Sequence, residues 1–66
     1  MIKVAARIVI TSHLSDSQEC MARGEMSKAY RHVNFAKWLV GRHADTNDQV
    51  DADAEWDLFV NTKWGE

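Results

Sequence analysis

The chain has 66 residues, 45% of them hydrophobic and 27% charged, with no proline, three glycines and one cysteine. That length supports one small domain, residues 1–66, and excludes a multidomain enzyme and an internal disulfide framework. The formal charge of -2 hides a split, since residues 1–43 hold seven Lys/Arg against three Asp/Glu and residues 44–66 hold one Lys against seven Asp/Glu, a basic body followed by an acidic segment.

Two periods compete over residues 2–10. As a strand, Ile2, Val4, Ala6, Ile8 and Ile10 share one face, and the β-branched residues favour that conformation. As a helix, Ile2, Ala6, Val9, Ile10, His13, Leu14, Ser17, Cys20 and Met21 fall in one stripe. The helical period explains the longer segment, because the alternation stops at residue 10. Ser15-Asp16-Ser17-Gln18 has the form of a capping box, so a helix beginning there is one reading. The other is a helix running through, with its hydroxyls facing water or bonding the preceding turn.

Gly24 follows this apolar run and predicts a helix stop. A second helix is expected over 25–42, antiparallel to the first because the turn is short. Met26, Ala29, Val33, Ala36 and Val40 form a narrow apolar stripe that should face the first helix. The other side carries Lys28, Arg31, Phe35, Trp38, Leu39 and Arg42. Three large apolar groups outside a two-helix hairpin need another surface to cover them.

Residues 44–49, ADTNDQ, predict a polar linker. In the acidic segment, Trp56, Phe59, Val60 and Trp64 recur at helical spacing, and Asn47, Asp48 or Asp51 is placed to cap a short acidic helix.

The expected fold is therefore all-α: an antiparallel two-helix hairpin over about 2–42 and a short acidic third helix within 44–66. A chain near 60 residues buries only about 60% of its unfolded surface. Folds of this size usually lean on disulfides, a metal or a partner chain. This predicts a homodimer, with Phe35, Trp38 and Leu39 at the interface and Val4 and Ile8 joining them.

The stretch ARGEMSKAYRHVNFAKWL resembles the second half of a tetratricopeptide repeat. Gly24 matches the glycine that closes that family's first helix, and Ala29, Val33 and Ala36 follow at matching intervals. The first half departs from the pattern, with His13, Asp16 and Cys20 where the family prefers bulky apolar groups. The resemblance implies a close-packed helical hairpin rather than a repeat array, which needs at least three units. Taken whole, a tiny proline-free hairpin with three tryptophans and an acidic tail also resembles small accessory proteins from the early region of lambdoid phages. That resemblance implies a non-enzymatic factor that biases lytic development or disturbs a host process.

Three chemistries remain to be weighed. Lys28, Arg31 and Arg42 with Phe35 or Trp38 would suit phosphates and stacked bases, but the chain as a whole is acidic, whereas a nucleic-acid footprint is usually strongly basic. The acidic-aromatic segment, with Asp53, Trp56, Asp57, Phe59, Val60 and Trp64, would either dock on a basic groove of an unidentified protein partner or lie back on the hairpin. His13 and Cys20, seven residues apart, are spaced to share a helical face, with His32 on the next helix, yet no CxxC, HxxxH or HExxH pattern is present. The expectation is a half-buried histidine and an apolar thiol, with no metal and no cofactor.

A base near Cys20 and a water-excluding cavity are both wanting in a bare hairpin, so no catalytic residue is expected. The longest strongly apolar run, Ile8-Val9-Ile10, is far short of the ~20 residues that span a bilayer. The reading is thus a cytoplasmic, non-membrane regulatory protein acting through protein–protein contact. A nucleic-acid-binding regulator is its rival.

Overall fold

The computed structural model describes residues 3–62. Five elements follow in order: β1 (Lys3–Ala5), α1 (Ala6–Ala22), α2 (Met26–Arg42), β2 (Gln49–Asp51) and α3 (Ala52–Val60). Both readings of the first segment are realised, each over part of it. Lys3–Ala5 is extended, and the helical period takes over at Ala6. The expectation of an all-α fold becomes a mostly helical fold with a small antiparallel sheet, which pairs Lys3 with Asp51, Val4 with Val50 and Ala5 with Gln49.

The sheet missed by the helical period serves the helix. The N-cap of α1 is Ala5, whose side chain has nothing to offer the free N–H groups of the first turn. The chain after α2 supplies what is missing: Ala6 N–H donates to the Asp48 carbonyl and Arg7 N–H to the Thr46 carbonyl, both at 2.8 Å. The Arg7 guanidinium also reaches Asn47 Oδ1 at 3.1 Å. The predicted polar linker is thus a cap built from residues distant in sequence, and it ends in a strand.

No break occurs at the internal serines. α1 runs through them, Ser17 donates back to the Leu14 carbonyl at 2.6 Å, and Thr11 does the same to Arg7 at 2.8 Å. Gly24 ends the helix as predicted, in the left-handed region at φ 78°. Glu25 N–H donates to the Cys20 carbonyl at 2.8 Å and Gly24 N–H to that of Met21 at 3.0 Å, the paired bonds of a Schellman stop. α2 then returns against α1. Ala29 and Ala36 are buried as the small residues of the stripe, while Met26 and Val40 at its two ends are exposed.

The core gathers Ala6 and Val9 of α1, Phe35 and Leu39 of α2, Val50 of β2 and Phe59 of α3. Val4, Ile10, Trp38, Ala52 and Trp56 pack around it. Phe35 and Leu39 are wholly buried. This corrects the expectation that they form an outer ridge awaiting a second chain. The cover comes from the same polypeptide, because α3 lays Phe59 and Trp56 over Phe35, with ring centroids at 5.2 and 4.9 Å. No helix among the described residues is long and apolar enough to cross a membrane.

Candidate functional sites

α3 is fixed at both ends of its charge pattern. Asp51, one of the three predicted caps, accepts from the N–H groups of Asp53 at 3.1 Å and Ala54 at 3.3 Å. Asp53 and Glu55 then lie in the first turn, where negative charge is favourable. The carboxylate that ties the helix to the hairpin is neither Asp53 nor Asp57, which are both exposed, but the buried Glu55. It receives Arg42 Nε at 2.8 Å and stands 3.3 Å from His43 Nε2. Desolvating a carboxylate is costly, and here two nitrogen donors from the end of α2 meet it.

The predicted interface residues separate. Phe35 and Leu39 belong to the core, Val4 is half-buried against it, and Ile8 is exposed. Trp38 alone of the apolar trio Phe35, Trp38 and Leu39 keeps partial exposure. The Arg42 guanidinium lies over its ring, 5.4 Å from the centroid. In the acidic segment, Phe59 is buried, Trp56 is half-buried and Val60 is exposed, while Trp64 lies outside the described residues.

Asn34, Lys37, Trp38, Gly41 and Arg42 line an open groove of about 520 Å³ along α2. Their spacing of i, i+3, i+4, i+7 and i+8 puts them on one helical face. Gly41 leaves open space where a side chain would stand. The groove's lining includes an indole for apolar contact and two cations. Of these, Arg42 is paired with Glu55, whereas Lys37 has no partner among the described residues. In the predicted basic face, Lys28 is engaged with Glu25 at 3.6 Å and only Arg31 is without a partner among the described residues. Asn34, Lys37 and Gly41 were legible as neighbours of Trp38 by helical spacing, although Glu55 gave no sign distinguishing it from the surrounding aspartates.

A second cluster lies between α1 and α2. His13 Nδ1 and His32 Nδ1 are 2.9 Å apart. One ring must donate to the other, since two neutral acceptors gain nothing at that distance. His13 stacks on Trp56 at 5.5 Å with an 8° interplanar angle and meets the edge of Phe35 at 4.6 Å. Burial holds the His13 imidazole below its ordinary pKa, His32 pushes it the same way, and Asp16 opposes them. Asp16, one turn along α1, brings its carboxylate within 4.8 Å of both imidazole donors. The sequence placed His13 and His32 on successive helices but gave the third position to Cys20. The Cys20 thiol is instead buried, 3.9 Å from Arg23 Nη2.

Comparison with protein-family models, with curated proteins and with solved structures finds no match for this chain.

Proposed function

We propose that the protein is a non-enzymatic regulator that works by binding another protein, and that the α2 groove receives an acidic segment of that partner. The observation that carries this reading is the groove itself: Trp38 in its lining offers apolar contact, and Lys37 beside it is a cation without a partner among the described residues. A partly exposed aromatic beside a cation is the composition of a recognition patch. With Phe59 buried and Glu55 paired, the described part of the acidic segment is tied to the hairpin, whereas the groove stands open. A phage early factor that disturbs a host process would act in this manner, by occupying a host protein without chemistry of its own.

Nucleic acid is the less favoured ligand. Two of the three cations assigned to it, Lys28 and Arg42, are already paired with carboxylates, and Arg42 covers a face of Trp38 that a base would need. The test is affinity capture from a lysate of the native cell, with the whole chain as bait, beside Lys37→Glu and Trp38→Ala. Lys37 is exposed, so its reversal leaves the fold intact. A protein retained by the wild type and released by both variants supports the reading. Retention of nucleic acid alone, or of a protein held equally by Lys37→Glu, refutes it.

A further inference from the structure

We propose that His13, Asp16 and His32 form a binding site for a divalent transition-metal ion of the zinc class, spanning α1 and α2. The three donor atoms lie within 4.8 Å of one another, and the two imidazole nitrogens are 2.9 Å apart. An ion bound tetrahedrally at about 2.0–2.1 Å holds its nitrogen ligands roughly 3.3 Å apart. The histidine pair admits one by opening about 0.4 Å, with each ring turning so that its lone pair aims at the ion instead of at the other nitrogen. Two imidazoles and a carboxylate suit zinc, nickel or copper, and do not suit magnesium or calcium, which prefer oxygen.

With both Nδ1 atoms turned to each other, one lone pair is spent on one shared proton. A cation engages both lone pairs, and the ring that was donating moves its proton to Nε2, the other tautomer of neutral imidazole. No net protonation change is required of the pair.

The ligands are also held in place. His13 is fixed between Trp56 of α3 and Phe35 of α2, and His32 leans on the same indole at 6.1 Å. A site whose rings are locked by packing loses little freedom on binding. Asp16 is exposed, so the cluster has a hydrated side through which an ion enters and where water completes the coordination. Cys20 has no part in it. The expectation that this chain holds no metal rested on sequence spacing alone, and ligands contributed by two antiparallel helices leave no short motif in the sequence.

The experiment uses the full chain stripped with chelator and titrated with Co²⁺, read by visible absorption and by quenching of tryptophan fluorescence, with Zn²⁺ added in competition. Saturation at one equivalent, displacement by Zn²⁺ and a raised melting temperature are expected. His32→Gln should abolish binding, and Asp16→Asn should weaken it by about tenfold or more. Asp16 lies on the surface, so Asp16→Asn decides the matter even where His32→Gln unfolds the chain. His43→Gln, which alters the other paired histidine, should bind as the wild type does. Absence of binding up to millimolar Co²⁺, wild-type affinity in Asp16→Asn, or loss of binding in His43→Gln would overturn the proposal.

Discussion

Phe59 carries the attachment of α3, and truncating it is the sharpest test of how the fold holds together. Its ring is wholly buried and meets Phe35 at 5.2 Å, Trp56 at 5.6 Å and Trp38 at 5.8 Å. Phe59→Ala strips three aromatic neighbours of a shared partner and opens a void beneath a helix of only 9 residues. Such a helix is too short to persist without packing. Truncation of a buried aromatic costs about 3–5 kcal/mol. A domain of 66 residues has roughly 3–10 kcal/mol of stability in all, at about 0.05–0.15 kcal/mol per residue. The variant should therefore lose a large share of its stability and expose Phe35 and Leu39. Urea unfolding followed by far-ultraviolet circular dichroism and by tryptophan fluorescence measures the loss, with iodide quenching reporting uncovered indoles. Leu58→Ala, at the exposed neighbouring position, should change stability by no more than about 0.5 kcal/mol. A loss in Phe59→Ala below about 1 kcal/mol, outside the range for buried aromatics, or no larger than that of Leu58→Ala, would refute the argument that α3 covers the core.

Three further outcomes follow from single residues. Asp51→Ala removes the acceptor for the Asp53 and Ala54 N–H groups and should cost about 1 kcal/mol in denaturant unfolding, whereas Asp51→Asn should recover most of it. Gly24→Ala meets no atom within 4 Å, so its cost comes from the φ of 78° alone; about 1–2 kcal/mol is expected from the same assay. Because His13 is held below its ordinary 6.5 by burial and by His32, against the pull of Asp16, and α3 sets only the uncharged Trp56 against it, the unfolded chain binds more protons than the folded one as pH falls. This contribution is complete above about pH 6.5 and erodes as pH drops from there toward the depressed folded value. The urea midpoint of chelator-treated protein should fall over that interval, and His13→Asn should flatten the profile. A wild-type midpoint that rises toward lower pH would contradict the assignment.

The helical hairpin was legible because its signals are local. Apolar spacing marked both helices, and Gly24 marked the turn. Asp51 was among the residues named as caps. The sheet was not legible, since three residues such as Lys3–Ala5 are too few to establish an alternation, and their partner Gln49–Asp51 lies at the edge of a polar stretch. Periodicity showed that Phe35, Trp38 and Leu39 share a face, yet it carries no information on which element covers that face. The answer was a tertiary contact with Phe59 and Trp56, already contained in the chain. The same gap explains the electrostatics. Asp53 and Asp57 are the acidic residues that the sequence singles out in this segment, and the ion pair forms instead at Glu55, the position that the register of α3 turns toward Arg42 and His43. His13 and His32 were visible only as histidines on successive helices. Their close approach and the arrival of Asp16 depend on the packing of two backbones.

The capping of α1 by Thr46 and Asp48 has a consequence for biosynthesis. Ribosomes extend a polypeptide at roughly 5–20 residues per second, and the carbonyls that complete the amino end of this helix belong to residues 46 and 48. Until that stretch has left the exit tunnel, a nascent α1 has an unfinished first turn, with β1 unpaired beside it. The hairpin can form early, but the clasp that locks it closes only when translation has moved well past α2.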